Sequence, residues 1–508
     1  MSMLSRQNLL FNDTATTEIY TGTFMVFSSL IFLYLFLPVV LLLSLPGNTT
    51  VRNITLLTAS LVFYSWAGVT LVIYLIISIL VNYLFGILIA SGENRSRIWF
   101  TAGVVFNILF LLVLKYTGFF IDQVNEIAGS ILIRNPKFPF VAGISFITFQ
   151  AMTYLIDVKR KIVPATRNFI HLALYISFFP KLISGPITRY HLMDGQIRER
   201  RISFDLFGEG VRRFTLGLGR KVLIANQLAL IADNAFSLQS ADLSAGIAWI
   251  GLLAYTLQIY HDFAGYTDMA IGLALMFGFR LPENFNLPYI SRTVTEFWKR
   301  WHITLSEWFR DYLFLPLAYR LSRTMPKERY WIFRADQLIY LPAALITFLL
   351  CGFWHGAAWG FVIWGGIHGL FISLERLGLS RLLKKLPAVF SHIYLLLVIT
   401  LAWVFFRSPS VDDAFRYFSA LFGVLREGST ASFVSYYNGI QLAVAIVAIL
   451  AATPLAEKLQ SFALGGKAAG FRFHGWRIAG LAVMILVLLL STFYLANSTY
   501  SSFIYFKF

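Results

Sequence analysis

Apolar stretches recur from one end of this chain to the other, and a stretch of about 18 residues or more is long enough to cross the ~30 Å hydrocarbon core of a bilayer. They run at 25–45, 54–66, 69–90, 98–120, 139–157, 168–187, 207–234, 245–279, 337–351, 355–375, 388–406, 433–456 and 478–496. Hydrophobic residues make up 58% of the 508 and charged residues 13%, with mean hydropathy +0.69. That balance excludes the three or four soluble domains such a length would otherwise hold. The pattern predicts an all-α, polytopic integral membrane protein. The single cysteine, Cys351, excludes an intramolecular disulfide framework and a cysteine-based zinc site.

Lys and Arg number 42 against 25 Asp and Glu, a formal net charge of +17. The excess sits in loops between apolar runs, the distribution expected of cytoplasmic loops rather than of a nucleic-acid surface. Lys159–Lys221 alone carries thirteen Lys and Arg against four Asp and Glu. Such a face also suits a phosphorylated donor, coenzyme A or an acidic carrier protein. Residues 1–24 are polar, in contrast to the apolar run that opens at Met25. We therefore expect them to be a non-native or disordered extension, with Met25 as the natural start and one domain from 25 to 508. No internal repeat or separate soluble domain is visible.

An ionisable group at membrane depth is costly, so each one is a candidate for function. His355 lies in Cys351-Gly352-Phe353-Trp354-His355-Gly356-Ala357-Ala358-Trp359, where Trp354 shields it and small residues permit close approach. An imidazole near neutral pKa takes a proton from a hydroxyl as that hydroxyl attacks an acyl carbon. A core histidine that only bonds a carbonyl would leave a similar pattern.

His302 lies in a segment that mixes Trp298, Trp301 and Trp308 with Arg300, Arg310 and Asp311. The stretch 285–335 is too polar for a lipid-facing span and too apolar for a free loop, which predicts an interfacial or re-entrant cytoplasmic segment. On one continuous helix Trp298, His302 and Ser306 would share a face and Asp311 would lie opposite. His302 could then orient the acyl donor, polarise its carbonyl or hold the tautomer of His355. A solvated histidine in an aromatic belt is the plainer alternative.

Gln258, His261, Asp262 and Asp268 interrupt one apolar run, and Ser145, Thr148 and Gln150 another. Buried polar groups need partners, so these line a cavity or pair across helices. No H-x-x-H or H-E-x-x-H spacing occurs, so no metal is expected.

Together the His302 segment, Asp262–Asp268, Pro180-Lys181-Leu182-Ile183-Ser184-Gly185-Pro186-Ile187 and Gly352–Gly356 resemble the membrane-bound O-acyltransferase family, from Met25 to the C-terminus. The resemblance implies a ring of transmembrane and re-entrant helices around a thin central region, with a tunnel for a thioester. It implies an O-acyltransferase that moves acetyl from cytoplasmic acetyl-CoA, or a carrier phosphopantetheine thioester, across the inner membrane of a bacterium. No cofactor would be permanently bound. The acceptor would be an exopolysaccharide such as alginate, with peptidoglycan, cellulose or D-alanyl transfer as rivals.

In this branch the family's two histidines map onto His355 and His302. Trp298, Trp301, Ser306, Arg310, Asp311, Trp354, Gln258, Asp262 and Asp268 are the candidate donor-tunnel or substrate residues. His261, Asn226 and Ala318-Tyr319-Arg320 depart from the pattern. The aromatic tail 500–508 resembles a terminal motif of the branch, and Tyr505 is a candidate acyl relay. An extracytoplasmic SGNH-type acetyltransferase and an exopolysaccharide assembly complex are the implied partners. A proton-coupled transporter or flippase is the rival of another class, and it would call for repeat symmetry in the hydropathy.

Overall fold

The computed structural model describes residues 25–44, 46–136, 138–238, 242–325, 327–331, 333–424, 438–455, 458 and 473–497. The expected extension 1–24 and the tail 500–508 with Tyr505 lie outside the described residues. Among the described residues the regular structure is helical apart from an antiparallel pair of two-residue strands, Arg329–Tyr330 and Phe333–Arg334. Among the described residues six helices are long and apolar enough to cross a membrane. They are Val69–Ala90, Glu93–Ala128, Phe204–Ser237, Ala335–His355, Ala388–Arg407 and Ile478–Asn497.

Several apolar stretches do not become full spans. Phe32–Ser44 and Gly439–Ala451 are shorter apolar helices. The stretch 139–157 forms the 16-residue helix Ile144–Lys159, most of it buried. The stretch 168–187 is broken. Helix Phe169–Ser177 stops where Phe178 leaves helical geometry, one turn follows at Phe179–Leu182, and the chain folds back at Ser184–Pro186. A Cβ at Gly185 would lie 2.4 Å from the Lys181 Cα, so that return needs glycine. The stretches 139–157 and 168–187 are apolar because protein covers most of them, whereas Phe32–Ser44 and Gly439–Ala451 leave large apolar side chains exposed; hydropathy alone cannot separate the two cases.

The chain divides into two compact units. One holds residues 25–214 and 266–281, the other 215–265 and 282–497. In the first unit, helices Val69–Ala90 and Glu93–Ala128 are joined at depth by Asn82 and Asn107. Each amide donates to the other's oxygen, at 3.1 and 2.7 Å, and also to a carbonyl of its own helix. The pair satisfies groups that lipid could not. Arg200 donates to the Phe277 carbonyl and to Asn53 Oδ1 and lies over the Phe279 ring, tying 277–279 into this unit.

In the second unit, Ala335–His355 and Trp359–Leu374 make a helical hairpin of close approach. A Cβ on Gly352 would lie 2.1 Å from the Phe361 carbonyl oxygen, and one on Gly365 2.2 Å from that of Phe348. One at Gly356 would meet the Phe361 ring at 2.2 Å. Gly352 and Gly356 beside His355 therefore serve helix packing, the close approach that small residues permit in membrane contacts.

Candidate active site

The segment 285–315 is not one helix. A 3₁₀ turn at Pro288–Ile290 and the five-residue helix Val294–Trp298 precede a turn, and helix Ile303–Phe309 begins after His302. His302 has φ +42°, left-handed backbone that costs a branched or bulky residue about 1–2 kcal/mol. Trp298, His302 and Ser306 therefore do not share one helix face. The reason is local competition for hydrogen bonds. The Ile303 N–H donates to the Asn284 carbonyl and the Asn286 N–H to that of Arg300, both at 2.9 Å, so the non-helical 284–286 segment replaces the missing helical turn.

His355 ends its span because Gly356 is extended. Its ring is buried, with Trp354, Trp364 and Phe406 at centroid distances of 4.9, 5.1 and 5.4 Å. His302 is fully buried, edge-on to Phe263 at 4.7 Å and 6.4 Å from Trp354, which thus stands beside both histidines. Burial alone pushes the His302 imidazole, which lies outside the six spans, down to about 3, so it is neutral at physiological pH.

A cavity of about 370 Å³, within the ~300–1,000 Å³ usual for small-molecule sites, lies against this segment. Trp298, Ser306, Arg310, Thr347, Phe348 and Cys351 contribute to its wall, with Lys299 also lining it. Of the expected tunnel residues, Trp298, Ser306 and Arg310 line this space and six do not. Trp301 packs between Phe285, Phe297 and Trp403. Trp354 contacts both histidines, and Asp311 holds Arg310 through two bonds of 2.7 and 3.3 Å. Gln258 is buried, and Asp262 pairs with buried Lys221 at 2.5 Å. Asp268 belongs to the other compact unit, where it pairs with Arg213 at 3.0 Å. Among the described residues no group of three His, Cys, Asp or Glu that could hold a metal occurs.

Two residues that no motif singles out hold the cavity wall. His368 is fully buried on Trp359–Leu374, and its Nδ1 accepts from the Trp298 indole N–H at 3.2 Å. Glu375, also buried, accepts from the Val294 N–H at 2.6 Å, the Thr295 N–H at 2.9 Å, the Thr295 hydroxyl at 2.6 Å and the Tyr394 hydroxyl at 3.0 Å. The helix after His355 thus grips Val294–Trp298 at both ends. The signal that marks His355, an ionisable group in an apolar helix, is present at His368 too and would have found it.

The family description for membrane-bound O-acyltransferases matches residues 158–408, which include both candidate histidines. The probable alginate O-acetylase AlgI of Azotobacter vinelandii is 41% identical over 408 residues, 78% of each chain. The protein of the same name from Pseudomonas putida is 37% identical over 514 residues, covering 95% of this chain and 100% of its own. The peptidoglycan O-acetyltransferase of Helicobacter pylori is 32% identical over 79% of this chain and 80% of its own. The chain belongs to the membrane-bound O-acyltransferase family. It is an all-α, multi-pass membrane enzyme that transfers acyl groups to oxygen.

Proposed function

We propose that this enzyme, in a bacterial inner membrane, takes an acetyl group from acetyl-CoA or a carrier phosphopantetheine thioester and delivers it toward an exopolysaccharide such as alginate. The observation that carries the proposal is the placement of Cys351 and His355 on one helix, four residues apart. Cys351 lines the cavity and His355 follows on the same face, about 6 Å along the axis. A thioester held in the cavity with its charged end at Lys299 and Arg310 would present its carbonyl toward His355. The His355 imidazole takes the proton of the acceptor hydroxyl as its oxygen bonds to the acyl carbon. The C–S bond then breaks, and the departing thiolate receives that proton. The names borne by the relatives from Azotobacter and Pseudomonas favour an alginate-like acceptor over peptidoglycan.

Because Cys351 is the only cysteine, it reports on the cavity directly. Acetyl-CoA at saturating concentration should slow alkylation of Cys351 by N-ethylmaleimide at least several-fold in purified protein, read by mass spectrometry. Equal alkylation with and without donor would remove the cavity from the reaction.

Tyr505 as an acyl relay, and an extracytoplasmic SGNH-type partner within an assembly complex, complete the proposed route. Tyr505→Phe should abolish polymer acetylation in cells while the protein still inserts. Full retained acetylation would end the relay.

A further inference from the structure

Asn284 lies in the non-helical stretch Leu281-Pro282-Glu283-Asn284, where proline interrupts the apolar run. It is 1% exposed, and its side-chain oxygen serves three groups of the His302 segment. The Thr304 N–H lies 3.2 Å away, the Thr304 hydroxyl 2.9 Å and His302 Nδ1 3.1 Å. A backbone N–H can only donate, so the Asn284 atom facing Thr304 must be the carbonyl oxygen and not the amide nitrogen. His302 Nδ1 faces that same oxygen. Two lone pairs at hydrogen-bond distance repel, so Nδ1 must carry a hydrogen. A neutral imidazole has one N–H, and its other nitrogen, Nε2, then holds a lone pair.

We propose that Asn284 is the positioning residue that fixes His302 in its Nδ1–H tautomer, so that His302 enters the reaction through Nε2 as a hydrogen-bond and proton acceptor. The assignment rests on the reading of His302 as a group that acts on substrate. It also narrows that reading. A neutral His302 whose only N–H is committed to Asn284 does not polarise the thioester carbonyl by donation. It orients a substrate that donates to it, either the acceptor hydroxyl or an amide N–H of a pantetheine arm.

The arrangement accounts for the backbone at this point as well. The left-handed turn at His302 is held by the same oxygen that caps the Thr304 amide, so cap, turn and tautomer depend on one side chain. Strain of this kind persists only where surrounding bonds over-determine it.

The test is a double-mutant cycle on purified full-length enzyme, with acetyl-CoA as donor and a hydroxyl acceptor. Asn284→Ala should lower kcat/KM roughly 10- to 100-fold, the range for loss of a partner that orients a histidine, the loss falling in kcat if His302 orients the acceptor hydroxyl and in donor KM if it orients the pantetheine arm. In a His302→Ala background the same change should cost less than about threefold, because Asn284 acts through a ring already removed. An equal loss in both backgrounds would make Asn284 a loop cap only and overturn the tautomer assignment. If His302→Ala alone leaves turnover intact, it is the role of His302 in the reaction that fails. Solid-state ¹⁵N spectra of histidine-labelled protein, with His302 assigned by difference from His302→Ala, read the tautomer without any mutation at 284. A bare Nε2 is expected, and a protonated Nε2 would overturn the proposal whatever the Asn284 variants do.

Discussion

Replacing His355 by alanine is expected to lower acetyl transfer about 10³-fold while the protein still accumulates in the membrane. A positioned general base contributes roughly 10²–10⁴-fold, and without it the acceptor hydroxyl must lose its proton unaided as it attacks. The packing cost is separate. The ring fills a space between Trp354, Trp364 and Phe406, so alanine also leaves a cavity worth a few kcal/mol of stability. His355→Gln, closer in size, separates the effects. It should restore thermal stability in detergent to near the parent value and leave transfer as low as in the alanine variant. The measurement is labelled acetyl reaching a hydroxyl acceptor, with membrane yield as control. Parental turnover in either variant would remove His355 from the chemistry.

The class of the molecule is legible in the sequence because it rests on sums. Hydropathy over whole helices and the placement of Lys and Arg do not depend on any one contact, and both point to a polytopic membrane protein. His355 is legible for the same reason that it is costly there: lipid depth makes any ionisable group conspicuous. The segment around His302 reads as a helix because its Trp and Ser spacing fits 3.6 residues per turn. What stops that helix is Asn284, some eighteen residues upstream, whose backbone and side chain both take hydrogen bonds from the 302–304 turn. Periodicity is a local signal and cannot register a partner from that distance. Asp262 and Asp268 show the converse. Six residues apart on one helix, they look like one polar cluster, yet they pair with Lys221 and Arg213 in different compact units. Sequence spacing gives the face of a helix and not what lies against it.

Glu375→Gln should destabilise the enzyme and raise its donor KM together. The carboxylate is 3% exposed and accepts four hydrogen bonds, two from backbone N–H groups that have no other role at the start of a five-residue helix. A carboxylate suits this cluster because both its oxygens only accept. An amide keeps one acceptor and turns an NH₂ toward the donors that the second oxygen served. Each buried donor left unsatisfied costs about 1–3 kcal/mol, so the substitution should cost several kcal/mol and a fall in Tm of several degrees. The effect on KM follows from what the helix carries. Val294–Trp298 ends in the Trp298 indole that lines the cavity, and Glu375 holds its first residues as His368 holds its last. Loosening one end misplaces that wall by enough to weaken donor binding, whereas His355, on another helix, keeps its surroundings. The expected signature is a KM for acetyl-CoA raised roughly tenfold with a smaller change in kcat, the pattern of lost ground-state binding. A Glu375→Gln enzyme with reduced Tm but parental KM would show that the grip on Val294–Trp298 serves the fold and not the donor.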